Sequence, residues 1–168
     1  MMNNYTPTLE YQNLMAAFRS HKFTKNDIKS FVHKVFSMYE RASCDNEHLD
    51  AEAFHDLVAD DVYVDFPDYK VRSREEFKQW HRWIHSLLNS DDHEIDSISV
   101  EYLANGKYQA QFFLRWRGDF KDGRYTDLRV EQLWVMREEA DKELPVIERY
   151  IVGLANPIPA NTAGDVEE

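Results

Sequence analysis

The sequence predicts an α+β fold in which N-terminal helices cover a curved antiparallel sheet of about four to six strands. Three observations carry that prediction. Apolar residues recur at a helical period in separate segments up to Leu88; from His93 onward the period drops to two; and the dipeptides Asn105-Gly106 and Asp122-Gly123 punctuate the alternating runs, as hairpin turns do. Helices followed by an antiparallel meander give the layered α+β order.

Taken in order, Thr8 can cap a short helix whose Tyr11, Leu14, Met15 and Phe18 share one face. A second helix places Ile28, Phe31, Val32, Val35 and Tyr39 on an apolar stripe, with Lys29, Lys34, Ser37 and Glu40 on the other side. Asp50 is read as the cap of a third helix with Ala53, Phe54, Leu57 and Val58 on its stripe, ending at Asp60-Asp61. Val62 to Phe66 alternates as a short strand, and Pro67 stops it because proline has no amide hydrogen for the ladder. Ser73 with Glu76 forms a capping box for a fourth helix carrying Phe77, Trp80, Ile84, Leu87 and Leu88.

A first long strand is expected from His93, with Ile98, Val100 and Tyr102 on one face. In the next, Tyr108, Ala110, Phe112, Leu114 and Trp116 face inward, and in the third, Tyr125 to Arg137, the even positions do. A last strand runs from Val146 to Leu154, and Pro157 and Pro159 end the order. The expected organisation is an extension over residues 1–26 with a short helix, one domain over 27–155, and a mobile acidic tail over 156–168.

Composition narrows the function classes. At 168 residues, with 43% apolar and 14% aromatic content, the chain suits one well-filled domain. Its 20 basic and 31 acidic side chains leave a formal charge of -11, which repels nucleic acid and other polyphosphates. No signal-like or membrane-spanning run is seen, and Cys44 is the single cysteine, so a reducing cytoplasm is expected. No phosphate loop, dinucleotide fingerprint or nucleophile elbow occurs.

The phrase Phe54-His55-Asp56-Leu57-Val58-Ala59-Asp60-Asp61-Val62-Tyr63-Val64 resembles the entry into the first strand in the SnoaL-like group of the nuclear transport factor 2-like superfamily. Phe66-Pro67, the helix from Ser73, Gln132-Leu133-Trp134-Val135-Met136 and Pro145-Val146-Ile147-Glu148-Arg149-Tyr150 are similar too, and the resemblance spans residues 27–154. It implies a cystatin-like α+β roll, a cone-shaped cavity between sheet and helices, and a homodimer through the outer sheet face. Phe113, Leu133 and Val135 on that face agree with the dimer. Members include ketosteroid isomerases, dehydratases, epoxide hydrolases, polyketide cyclases and proteins that only bind or assemble, so the fold leaves the activity open.

Candidate residues follow from burial and chemistry. His81, with Asp65 or Asp68, is the expected acid/base set, because a half-buried carboxylate or imidazole can have its pKa moved into a working range. Tyr39, Trp80, His93, Trp116, Gln132 and Trp134 are the expected ligand contacts: three indoles as apolar wall, with amide, imidazole and hydroxyl groups to orient an oxygen. Gln132 interrupts an inward apolar row. In the resembled cyclases the matching position is an acid/base aspartate, and an amide cannot shuttle protons. His81 and His85 stand at metal-sharing spacing, but no third ligand is evident, so neither metal nor organic cofactor is expected. The expected partner is a small hydrophobic oxygenated molecule, either transformed by proton transfer or simply bound.

Overall fold

The computed structural model describes residues 5–44 and 49–157. Helix α1 (Leu9–Arg19) is capped by Thr8, whose hydroxyl accepts the Tyr11 amide at 3.2 Å; none of its residues is buried. Helix α2 (Lys25–Cys44) starts at a reciprocal cap in which Thr24 and Asp27 each accept the other's amide. The whole expected stripe from Ile28 to Tyr39 is buried.

The third helix is shorter than the sequence suggests. A 3-10 turn, Ala51–Leu57, gives way at once to strand β1 (Val58–Phe66), so Val58 to Asp61 belong to the sheet. β-Branched Val58 and Val62 sit at 1% and 0% exposure there, and their burial against the sheet neighbours outweighs helical continuation. After β2 (Tyr69–Val71), helix α3 (Arg74–Leu87) begins at Ser73, whose hydroxyl accepts the Glu76 amide.

Strands β3 (Leu88–Ile95), β4 (Ser99–Leu103), β5 (Lys107–Phe120), β6 (Tyr125–Arg137) and β7 (Val146–Pro157) complete a curved, unclosed seven-stranded sheet. The order is β2-β1-β7-β6-β5-β3, with β4 also on β5. The inward faces of β5 and β6 are those the alternation predicts; Ala110 pairs with Trp134 and Phe112 with Gln132. Asn105 and Gly106 both hold positive φ, 61° and 69°, as a two-residue hairpin turn requires.

Two features depart from a plain meander. β1 joins the sheet parallel to β7, with Val64 beside Tyr150. The first long strand is two strands separated by an insertion: the chain takes four steps from Ile95 to Ser99 while β5 takes three from Leu114 to Gln111. One extra residue bends the strand and reverses which parity faces inward. Asp91, His93 and Ile95 therefore face the same side as Val100 and Tyr102.

β7 continues to Pro157, two residues into the segment expected as a tail, and the remainder of that tail lies outside the described residues. No helix among the described residues is long and apolar enough to cross a membrane.

Candidate functional site

The concave face of the sheet and helices α2 and α3 enclose a cavity of about 460 Å³. Its mouth lies at the β1–β2 turn, where Asp68 and Tyr69 meet Trp83 and Leu154, all exposed; Tyr69 and Trp83 stack with ring centroids 5.9 Å apart. Inside, Phe66 stacks on Trp80 at 4.4 Å, and Leu114, Trp116, Leu128 and Val130 continue the apolar wall. The polar groups gather at the inner end: Tyr39, His85, Asp91, His93, Gln132 and Tyr150.

The strand insertion puts Asp91 and His93 there, and α2 fixes them. Glu40 accepts the His93 amide at 2.6 Å and lies 3.2 Å from its ring Nδ1. The opposite nitrogen, Nε2, is 3.8 Å from an Asp91 oxygen. The Asp91 side chain, 4% exposed, accepts Ser43 Oγ on one oxygen and the Trp116 indole N–H at 3.3 Å on the other. An imidazole between two carboxylates, one of them orienting its far nitrogen, is an arrangement that can hold and deliver a proton.

Gln132 reaches the cavity, and its carbonyl oxygen accepts the Trp134 indole N–H at 2.9 Å. That bond fixes the amide's orientation and leaves its NH2 toward the ligand space and Tyr150. The Tyr39 hydroxyl is buried beside Tyr150 yet makes no hydrogen bond of good geometry. Burial raises the pKa of both phenols, so both stay protonated donors.

The expected residues divide. Tyr39, Trp80, His93, Trp116, Gln132 and Asp68 line the cavity, Asp68 at its solvated mouth. His81, Asp65 and Trp134 do not. Asp65 alternates with the lumen-facing Phe66 along β1 and is ion-paired with Lys70, its partner across β1 and β2. Trp134 is fully buried behind Gln132 and packs on Tyr150 at 4.6 Å. His81 is fully buried between Phe54, at 4.5 Å, and His85, at 4.1 Å, and neither ring nitrogen has a hydrogen-bond partner.

Its place follows from how α3 sits. Phe77, Lys78, His81 and His85 are the buried face, turned roughly 80° about the helix axis from the apolar stripe read in the sequence. Trp80 and Ile84 instead border the cavity, and Leu87 is exposed. Lys78 tolerates burial because its ammonium reaches Glu52 at 3.1 Å and His55 at 2.9 Å. Burial, aided by repulsion from His85, pushes the His81 pKa down to about 3. His85 is also lowered by burial, against weaker opposing pulls from the His81 and Tyr39 carbonyls and Asp91.

Sequence reasoning missed Asp91, Glu40 as a partner of His93, and Tyr150. Among the described residues no group of three or more His, Cys, Asp or Glu is arranged to hold a metal.

No family model and no curated relative matches the chain. Solved structures do. A nuclear transport factor 2-like superfamily protein from Salmonella enterica superposes with a TM-score of 0.66 at 12% identity, over 84% of this chain and 95% of that one. A candidate aromatic ring hydroxylase from Novosphingobium aromaticivorans gives 0.67 at 13%, over 82% and 95%. A candidate scytalone dehydratase from the same organism gives 0.60 at 13%, over 86% and 100%. With helices on the concave face of an unclosed, curved sheet, the protein has the nuclear transport factor 2-like fold, the cystatin-like α+β roll.

Proposed function

We propose that the chain binds a small hydrophobic oxygenated molecule in the cone cavity and moves a proton on it, as a lyase, isomerase or hydrolase of the SnoaL-like kind. The observation that carries this reading is His93 at the cavity wall, between the carboxylates of Glu40 and Asp91. His93 Nε2 exchanges the proton with the ligand. Glu40 is the positioning residue, since it meets only the far nitrogen and the backbone amide. Tyr39 and the Gln132 amide group donate to the ligand oxygen, and Trp80 and Trp116 hold its apolar body. The volume suits a ligand of one or two rings, since small-molecule pockets run from about 300 Å³ upward. The acid/base role read onto His81 passes to His93; Asp68 keeps only a place at the entrance.

The two solved structures named for a dehydratase and a ring hydroxylase support chemistry on cyclic oxygenated compounds in a cavity of this fold. Gln132 favours a second reading, binding without turnover, because an amide stands where the resembled cyclases carry an acid. A panel of hydroxylated ring compounds separates the two. Turnover abolished by His93→Gln and retained by His81→Gln is the expected result; binding with no turnover of any panel member leaves the ligand-carrier reading. Turnover undiminished in His93→Gln refutes the proton-transfer assignment.

The half-buried Phe113, Leu133 and Val135 on the outer face support a homodimer through that face. The single, exposed Cys44 suits a reducing cytoplasm.

A further inference from the structure

The charge around the cavity is one-sided. Among the described residues its lining includes the carboxylates Asp68 and Asp91 and no lysine or arginine. The arginines of β5 and β6 sit at odd positions, on the outer face: Arg115 pairs with Asp127, and Arg129 lies over Phe113. At the inner end Glu40 and Asp91 share one imidazole, two acidic side chains to a single basic one. His85 adds no compensating charge, because burial keeps it neutral near pH 7. The buried carboxylate of Asp91 is answered by two neutral donors, Ser43 and Trp116, with His93 at 3.8 Å.

A second observation points the same way. The Tyr39 hydroxyl, in a residue only 3% exposed, lines this end beside Tyr150 and makes no hydrogen bond of good geometry, although buried polar groups are nearly always well paired. An ammonium seated at Asp91 satisfies the carboxylate with a charge-assisted bond, while the phenol oxygen can accept another of its hydrogens. The rings of Phe36, Tyr39, Trp80 and Trp116 around the lumen favour a cation as well, through their negative faces. A carboxylate or phosphate in the same place meets like charge with little solvent to screen it.

We infer that this cavity discriminates by charge: it takes ring compounds bearing a protonated amine in preference to neutral ones, and rejects carboxylates and phosphates. The inference rests on the reading of the cavity as a binding site and adds the charge of what it binds.

A matched series tests it on the full chain by calorimetric titration near neutral pH: naphthylmethylamine, naphthylmethanol and naphthoate, which share a ring and differ in the charge of the polar group. The amine is expected to bind about tenfold tighter than the alcohol, and naphthoate to show no saturable binding. In Asp91→Asn the advantage of the amine over the alcohol is expected to fall to about twofold or less. An alcohol that binds as tightly as the amine, or a naphthoate that competes with either, overturns the charge inference while leaving the cavity as a binding site. If none of the three binds, both the inference and the binding reading fail. Should Asp91→Asn not fold, the ranking in the unaltered protein still decides.

Discussion

His81→Phe is expected to make the protein markedly less sensitive to acid. Both His81 nitrogens are buried without partners, and its pKa is depressed from 6.5 to about 3. The unfolded chain therefore takes up a proton below pH 6.5 that the folded chain refuses until near pH 3, so the stability owed to neutral His81 is present above 6.5 and lost progressively as pH falls toward 3. Moving from neutral pH to about pH 5 costs roughly 1.5 pH units of linkage, or about 2 kcal/mol, from this one residue. Phenylalanine removes that sensitivity, and it fits a site flanked by the Phe54 ring. The larger ring can strain the packing by about 1–3 kcal/mol, so the quantity to compare is the pH difference within each protein, not stability at one pH. Urea unfolding followed by tryptophan fluorescence at the two pH values measures it. The variant is expected to lose about 2 kcal/mol less than the parent on acidification, with a residual loss from His85. Equal losses in both proteins refute the assignment of His81 as a neutral, enclosed side chain.

Two further outcomes follow from the geometry. Glu40→Gln keeps an acceptor for the His93 amide but replaces the carboxylate at Nδ1; it is expected to lower turnover about tenfold and shift the pH–rate profile, with unfolding free energy within about 1 kcal/mol of the parent. An unchanged pH profile removes Glu40 from the site. Paired changes Leu133→Glu and Val135→Glu place two charges on the half-buried outer face and are expected to convert a dimer into a monomer in sedimentation equilibrium; a parent protein that is itself monomeric contradicts the proposed interface.

Much of the scaffold was legible because its signals are local. The stripe of α2, the cap at Ser73, the Asn105-Gly106 turn and the alternation of β5 and β6 each depend on neighbours within a few residues. What was not legible depends on distant partners. The parallel pairing of β1 with β7 joins segments more than eighty residues apart. Val58 to Asp61 read as the end of a helix because the strand that receives them lies at the other end of the chain.

The site was half legible for the same reason. The place of Trp80, Trp116 and Gln132 in the cavity lining is readable because each stands at the expected phase of a regular element or interrupts an apolar row. Asp91 was hidden by the insertion after Ile95, since a straight strand with Ile98 and Val100 inward turns odd positions out. Glu40 was assigned to the solvent side of α2, and only the fold of β3 against that helix brings His93 to it. His81 lies behind the cavity wall rather than in it, and the sequence hides this because apolar side chains bordering a lumen look the same as those filling a core. Trp80 and Ile84 border the lumen, and α3 is turned accordingly.

On the proposed reading, a ring compound presents its polar group at the inner end of the cone, where His93 stands between Glu40 and Asp91. Imidazole nitrogen NMR during titration with naphthylmethylamine tests it directly, with His85→Gln and His93→Gln spectra supplying the assignments. The expected result is a saturable shift of the His85 and His93 ring signals with His21, His33 and His55, which lie outside the cavity lining, unmoved; saturable binding that leaves His93 unmoved, or that moves only those three, contradicts that reading.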